Sequence, residues 1–377
     1  MSTTQHDSRD VPKSEILEKF EEPKRNTSQA TGDKRRHTDA DSIRNYHGIP
    51  QFNRSNYTYA NVFPNMMVHA YEAGPNMNGG GTDCYIRGNP GSGKSTFLNW
   101  LAARLLEIND EQVVWRGSSS RSEWLPLAPW TRLCVPEGAD IKARLEARDP
   151  RESSIDLDRD DLEEIAREVV TYRTPTDLNK RVLDNGAFHV VYPDPRMRGC
   201  NEALEESAER TIETPPNRDT AFSEDDPANH WWFAWALARV ERGPYHFCTW
   251  IADEIGDLVP ADARKDAFGS YQKVDLLKDT WADMRKMGLT VLAAGHSEKD
   301  VHPKILRKLR WRIQMPGQAN PTSKSDLTGF DNIPMQYDLT SQMDIGECLC
   351  YTESNFERLR WKDMGTETSH KLKIEIN

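Results

Sequence analysis

The stretch GNPGSGKST, Gly88–Thr96, decides the fold of this 377-residue chain. It fits the pattern G-x-x-x-x-G-K-[ST], with Gly88, Gly93, Lys94 and Ser95 at the fixed places. Glycines let backbone N–H groups approach phosphate oxygens, because no Cβ stands in the way. The pattern therefore predicts a loop that binds the phosphates of a nucleoside triphosphate. All nine residues are expected to bind the nucleotide: Gly88, Asn89, Pro90, Gly91, Ser92, Gly93, Lys94, Ser95 and Thr96.

The residues on either side of the loop predict a strand before it and a helix after it. CYIRG (84–88) reads as the strand, STFLNWLAARLLE (95–107) has helical spacing, and QVVWRG (112–117) is a second strand. Such β–loop–α–β units build parallel sheets, so we predict an α/β fold. The helix would direct its N-terminus at the anion. Lys94 would neutralise the β- and γ-phosphates, and Ser95 would ligate Mg²⁺.

Much later in the sequence, FCTWIADEIGDL (247–258) predicts another strand, which ends in two acids. Asp253 is expected to hold Mg²⁺, and Glu254 to orient the attacking water as a base. Two adjacent acids after an apolar strand indicate hydrolysis of ATP and not only binding. The alternative is an exposed turn with two carboxylates. Asp257 is interpreted as a turn or helix cap without a catalytic role.

LTVLAAGH (289–296) is a buried strand with a polar residue at its carboxyl end. His296 would sense the terminal phosphate there, because α/β sheets carry their sites at this edge. The alternative is an incidental histidine at a capped strand end.

Three arginines follow, Arg307, Arg310 and Arg312. One of them, with Arg312 as the candidate, would be presented to the γ-phosphate of a neighbouring subunit. The alternatives are a solvated basic helix or contacts to DNA.

Composition narrows the class of protein. The net charge of −11 argues against a wholly basic, histone-like DNA coat, and the mean hydropathy is −0.78. No apolar run of membrane-spanning length or signal-peptide core is present in the sequence, so we expect a cytoplasmic protein, or a virion-associated one if the source is a virus. Of six cysteines only Cys348 and Cys350 lie close together, and ordinary strand cysteines are favoured over a zinc site.

Charge and periodicity predict two regions. Residues 1–55 are interpreted as a disordered polar tail that would recruit a protein partner, and residues 56–377 as a P-loop ATPase domain with a charged elaboration at about 121–230. Within the elaboration, DRDDLEEIAREVVTYR (158–173) predicts a helix. WWFAWALARVE (231–241) predicts a buried packing helix, with a base-stacking platform as the alternative.

Three segments together resemble the FtsK/HerA superfamily of DNA-pumping ring ATPases. They are the loop GNPGSGKST, the acid strand WIADEIGDL (250–258) and the block KMGLTVLAAGHSEKDVHPKILRKLRWRIQM (286–315). The closing IGECLCYTESNFERLRW (345–361) also resembles the terminal hairpin of such domains. The family has a glutamine sensor where Gly295 stands here, with His296 next.

This resemblance implies a RecA/ASCE-like P-loop fold, a mostly parallel sheet flanked by helices. It also implies a motor that uses ATP and Mg²⁺ to translocate or package double-stranded DNA as a homo-hexameric ring. One alternative is an assembly or secretion ATPase of a virus or mobile element that acts on protein. The other is a nucleotide-dependent switch that is not a motor.

Overall fold

A computed structural model describes residues 12–27, 35–59, 61–69, 83–149, 152–206, 227–264, 270–321, 340–352, 355–365 and 370–377. The strands are β1 (Cys84–Arg87), β2 (Gln112–Arg116), β3 (Thr131–Pro136), β4 (Ile141–Ala147), β5 (Ile155–Leu157), β6 (Glu168–Tyr172), β7 (Phe188–Val191), β8 (Cys248–Ala252), β9 (Leu289–Gly295), β10 (Trp311–Gln314), β11 (Glu347–Tyr351), β12 (Phe356–Arg360) and β13 (His370–Ile376). The helices are α1 (Lys13–Thr27), α2 (Arg35–His47), α3 (Phe63–Met67), α4 (Lys94–Asn109), α5 (Arg159–Ile165), α6 (Pro175–Asp177), α7 (Cys200–Glu206), α8 (Pro227–Arg242), α9 (Ser270–Lys286) and α10 (Pro303–Leu306).

Ten of the described strands form one sheet, in the order β12-β11-β10-β1-β9-β8-β2-β7-β3-β6. The eight strands from β10 to β6 pair in parallel, whereas β11 and β12 form an antiparallel hairpin at one edge. The predicted α/β fold of a P-loop NTPase, with a mostly parallel sheet flanked by helices, is confirmed. Strand β9 lies between β1, which precedes the glycine loop, and β8, which precedes the two acids.

The sheet is buried on both faces. All five residues of β8 and all seven of β9 are buried, as expected for parallel strands covered by helices. Helix α8 covers one face with Trp231, Trp232 and Trp235, whose exposure is 0%. The ring of Trp232 stacks on Trp250 of β8, with centroids 5.3 Å apart. The prediction of a buried packing helix is therefore confirmed.

The region around 121–230 contributes both to the large sheet and to a small one. Strands β3, β6 and β7 extend the large sheet, and β4 and β5 form an antiparallel sheet with β13, in the order β13-β4-β5. The predicted helix over 158–173 is wrong in its second half. Helix α5 begins with a capping box between Asp158 and Asp161 and ends at Ile165, and Glu168–Tyr172 is strand β6. The segment EVVTY is rich in β-branched residues, which favour a strand.

In the described parts of residues 1–55 the structure has helices, where the sequence analysis predicted a disordered tail. Helices α1 and α2 bury Ile16, Leu17, Phe20 and Ile43 in the same core as α4. Ion pairs join α1 to α5 through Lys13 and Asp161, and α2 to the loop before β6 through Asp39 and Arg167.

All six cysteines are buried and form no disulfide. Among the described residues, no group of histidine, cysteine and acidic side chains has an arrangement that would hold a metal ion. No described helix has the length and apolar character needed to cross a membrane.

Candidate functional site

The residues of the site lie at the carboxyl ends of four neighbouring strands of the sheet. Strand β1 leads into the glycine loop, β8 into Asp253 and Glu254, β9 into His296, and β2 ends in Arg116. The register places Arg87 of β1 beside Gly295 of β9, so the loop and His296 leave the sheet at the same level. Parallel strands end together in this way, and their loops form the site of most α/β proteins.

The glycine loop adopts backbone conformations that require its glycines. Gly93 has a φ of 89° and caps the N-terminus of α4, and a Cβ there would lie 3.0 Å from the ring of Trp361. Residues 89–91 are exposed, whereas Ser92 is buried and its Oγ has no hydrogen-bond partner. An exposed loop at a helix N-terminus with an unused buried hydroxyl fits a phosphate group.

Lys94 lies at the first position of α4 with only 7% of its surface exposed. Its Nζ donates to the carbonyl oxygens of Gly88 at 2.7 Å and Asn89 at 3.3 Å, so the ammonium lies inside the glycine loop. Burial lowers the pKa of Lys94, and the carboxylates of Glu254 and Asp253 oppose this effect. The cation is therefore held at the place where phosphate charge would be neutralised.

Asp253 and Glu254 follow β8 with different surroundings. Asp253 is 7% exposed, and its Oδ1 accepts the N–H of Glu254 at 3.1 Å. Burial raises the pKa of both acids, and for Glu254 the neighbouring Asp253 adds to the rise. Glu254 has a left-handed backbone, with φ 50° and ψ 60°, which only a few per cent of non-glycine residues adopt.

His296 joins the glycine loop to the acids. Its Nε2 lies 3.2 Å from Oε1 of Glu254, and its Nδ1 lies 3.2 Å from both Nζ of Lys94 and the carbonyl oxygen of Gly88. With its proton on Nε2, the ring donates to Glu254 and accepts from Lys94. A doubly protonated ring donates to Glu254 and to the Gly88 carbonyl instead. The structure thus brings together three residues that the sequence analysis selected separately.

Arg312 does not lie where the sequence analysis expected a presented arginine. Its side chain is 2% exposed, and its Nε donates to Glu298 at 2.8 Å. The remaining guanidinium donors bond the carbonyl oxygens of Leu306, Leu309 and Trp311. Because every arm is used within its own subunit, Arg312 is a structural residue and not a candidate for contact with a neighbour.

Arg307 and Arg310 are exposed. Arg310 lies at the amino end of β1, where its N–H donates to the carbonyl oxygen of Asp83. This end of the strand is opposite the glycine loop. A role for either arginine toward a neighbouring subunit stays a prediction.

Arg116, at the end of β2, was missed by the sequence analysis. Its Nη1 donates to the carbonyl oxygens of Asp253 at 3.2 Å and Glu254 at 3.3 Å, and its Nη2 lies 3.6 Å from Asp257. The arginine therefore holds the backbone of both acids. It is the last residue of an apolar strand, where a site residue is expected, but only the strand order shows that β2 lies beside β8.

The donor set suits a nucleotide with Mg²⁺. The hydroxyl of Ser95, half-buried at the start of α4, and the carboxyl of Asp253 are oxygen donors, which Mg²⁺ prefers. Magnesium is usually held by one or two protein oxygens together with substrate phosphates. The unused Oγ of Ser92 and the buried Lys94 fit those phosphates.

No family model matches the chain, and no curated protein matches it. Among solved structures, the genome packaging NTPase B204 from Sulfolobus turreted icosahedral virus 2, in complex with ATP-gammaS, matches at 12% identity and a TM-score of 0.39, over 74% of this chain and 97% of that chain. EssC (ATPases 2 and 3) from Geobacillus thermodenitrificans matches at 14% identity and a TM-score of 0.33, over 76% of this chain and 40% of that chain.

The cytoplasmic domain of the Thermomonospora curvata Type VII secretion ATPase EccC matches at 16% identity and a TM-score of 0.32, over 76% of this chain and 26% of that chain. Because these identities and TM-scores are low, the function proposed for this chain rests on its own site and sequence.

Proposed function

We propose that this protein hydrolyses ATP and uses the energy as a motor of the FtsK/HerA type on double-stranded DNA. The observation that carries the hydrolytic part is the cluster in which His296 lies 3.2 Å from both Lys94 and Glu254. A phosphate-binding cation, a candidate base and a polar residue between them are the parts that ATP hydrolysis needs. The choice of DNA as the substrate of the motor, and of a hexameric ring, rests on the resemblance of the three sequence segments.

Each side chain has a defined task in this proposal. The loop amides and Lys94 bind the β- and γ-phosphates, and Lys94 exchanges its bonds to the Gly88 and Asn89 carbonyls for phosphate oxygens. Ser95 and Asp253 would hold Mg²⁺, which would supply positive charge against the charge that develops on the phosphate oxygens. Glu254 orients the attacking water and accepts its proton.

His296 is proposed to couple the phosphate side of the site to the base. While its Nε2 holds Oε1 of Glu254, the carboxylate has one oxygen occupied. A terminal phosphate that draws Lys94 away from Nδ1 would change the contacts of the ring on both sides. His296 would therefore report phosphate occupancy to Glu254.

The test measures ATP turnover with Mg²⁺, with and without long duplex DNA. We expect Lys94→Ala to lose ATP binding, and Glu254→Gln to bind ATP while its turnover falls by about 100-fold or more. Asp262→Asn, at an exposed position away from the cluster, is the control and should keep wild-type turnover. Unchanged turnover in Glu254→Gln would show that Glu254 is not the base.

Duplex DNA is expected to raise the turnover of the wild-type protein. Intact basal turnover without any stimulation would contradict the DNA motor. That result would favour the alternative of an assembly or secretion ATPase that acts on protein.

A further inference from the structure

The loop that follows β2 brings a second arginine to the site. Residues 117–124, GSSSRSEW, follow the carboxyl end of β2, the strand that pairs with β8. A tight turn closes over Ser118–Arg121, where the N–H of Arg121 donates to the carbonyl of Ser118 at 3.3 Å. Arg121 therefore lies on the same edge of the sheet as the acids.

Three separate elements fix this loop, which we call the arginine loop (117–124). The N–H of Gly117 donates to the carbonyl of Val191 in β7, and Asn99 of α4 donates to the carbonyl of Glu123 at 2.6 Å. From the small sheet, the N–H of Leu372 in β13 donates to Oγ of Ser122 at 3.1 Å. A loop held in this way keeps its side chains in place before a ligand arrives, as a catalytic site requires.

The guanidinium of Arg121 uses only part of its hydrogen-bonding capacity. Its Nη2 donates to Oδ2 of Asp257 at 3.1 Å, whereas its Nη1 is buried and has no hydrogen-bond partner. The side chain as a whole is 28% exposed, and the groups that cover Nη1 have to shift for a ligand to reach that atom. A buried charged donor without an acceptor is costly, and an anionic oxygen would satisfy it.

The charge of Arg121 also acts on the cluster. It opposes the rise that burial causes in the pKa of Asp253 and of Glu254, and it adds to the lowering of the pKa of Lys94. The distances agree with this: Oδ2 of Asp257 lies 3.1 Å from Nη2 of Arg121 and 3.6 Å from Nη2 of Arg116, which binds the carbonyl oxygens of both acids. The arginine loop also carries an acid, Glu123, whose Oε2 is buried and has no hydrogen-bond partner.

We infer that Arg121 contacts the terminal phosphate of the nucleotide bound in its own subunit, through the free Nη1, and is a catalytic residue. The inference rests on the proposed ATP hydrolysis and adds the residue that would select a triphosphate over a diphosphate. Arginine is suited to this task because its planar fork keeps one arm on Asp257 while the other meets a phosphate oxygen. An arginine supplied in cis can stabilise the charge of the phosphoryl-transfer transition state.

The test compares binding of a non-hydrolysable ATP analogue and of ADP to the wild-type protein and to Arg121→Ala, by titration calorimetry. We expect affinity for the ATP analogue to fall by about tenfold or more while affinity for ADP stays within about twofold. Turnover should fall by about 10³-fold. Arg121→Lys keeps the charge but not the fork, and its losses should lie between those of the wild type and of Arg121→Ala.

Arg173→Ala is the matched control, because Arg173 also follows a parallel strand and pairs with a surface carboxylate, Glu137, at 2.7 Å. It should match the wild type in both affinities. Equal loss of ATP-analogue and ADP binding in Arg121→Ala would overturn the inference in favour of a structural role, as would unchanged binding of both. Wild-type turnover is measured first, since its absence would overturn the proposed ATP hydrolysis itself.

Discussion

At the scale of single residues, the backbone of Glu254 is the most constrained part of the site. Its left-handed φ of 50° costs a glutamate about 1 kcal/mol or more, and the surrounding contacts must hold it there. Arg116 does so by binding the carbonyl oxygens of Asp253 and Glu254 together. In this conformation, Oε1 of Glu254 lies 3.2 Å from Nε2 of His296.

Asp83 is a buried acid whose charge affects stability. It is 3% exposed and accepts hydrogen bonds from Nε1 of Trp281 at 2.7 Å, the N–H of Val291 at 2.9 Å and Oγ1 of Thr290 at 3.3 Å. Burial raises its pKa to about 6. The native state therefore binds this proton more tightly than an unfolded chain, in which the pKa is about 4. The stability it contributes is present below pH 4 and is lost as the pH rises through 6.

Asp83→Asn removes this titration. The wild type should lose about 3 kcal/mol of unfolding free energy, relative to the variant, between pH 4 and pH 7. Urea unfolding of both proteins across this range measures the difference. The substitution Asp262→Asn, at an exposed position, serves as the control. If the difference in unfolding free energy between the wild type and Asp83→Asn stays constant with pH, the assignment of the titration to Asp83 is contradicted.

The sequence predicts the residues of the site whose pattern is local. Lys94 belongs to a contiguous loop, and Asp253, Glu254 and His296 each follow an apolar strand, so their meeting at one edge was expected. Arg116 and Arg121 also follow such a strand, but their role depends on β2 lying next to β8. That neighbourhood is set by packing of the whole sheet, and no local pattern reports it. Arg312 fits the family pattern and yet is buried, because the sequence does not show which arms of a guanidinium are used.

At the scale of elements, the short loops that follow the strands determine which side chains reach the site. Helical spacing predicted α4 and α8, whereas the prediction over 158–173 merged α5 with β6. Charged residues continue through both, and only the β-branched EVVTY and the capping box at Asp158 mark the change. Where two elements are both short and polar, periodicity cannot separate them.

Gly117 is the point where β2 turns into the arginine loop. A Cβ there would lie 2.6 Å from the carbonyl oxygen of Val191 and 2.8 Å from the ring of Tyr192, closer than real contacts allow. Gly117→Ala should displace the loop, lower stability by about 1–3 kcal/mol and lower ATP turnover by about tenfold.

Thermal unfolding and turnover measure the two effects. Gly365→Ala is the control, because a Cβ there meets nothing within 4 Å. If Gly117→Ala loses stability but keeps full turnover, the position of the arginine loop does not matter to hydrolysis.

At the scale of the whole molecule, the described portions of the helices before residue 55 belong to the hydrophobic core that α4 shares. Phe20 is 5% exposed and Ile43 is 0% exposed. Their polar composition suggested a tail, because few apolar residues are spread over many charged ones. The apolar residues that are present gather on the faces turned toward the core, and α2 packs against α4, whose first residue is Lys94.

The proposed ring predicts that subunits depend on one another. Glu254→Gln should bind ATP without hydrolysing it, so mixing it into wild-type protein should lower turnover more steeply than the wild-type fraction falls. Dilution with an unrelated protein gives the proportional reference. A strictly proportional decrease would contradict coordinated subunits and leave ATP hydrolysis by independent copies.

The hydrogen bond from Leu372 to Ser122 joins residues 250 positions apart. Strand β13 also pairs with β4 along its full length, from His370–Ala147 to Ile376–Ile141. During translation, the glycine loop and both acids leave the ribosome well before Leu372, the last of the three residues that fasten the arginine loop. We expect efficient turnover to begin only once synthesis has passed β13, because the arginine loop then gains its last anchor.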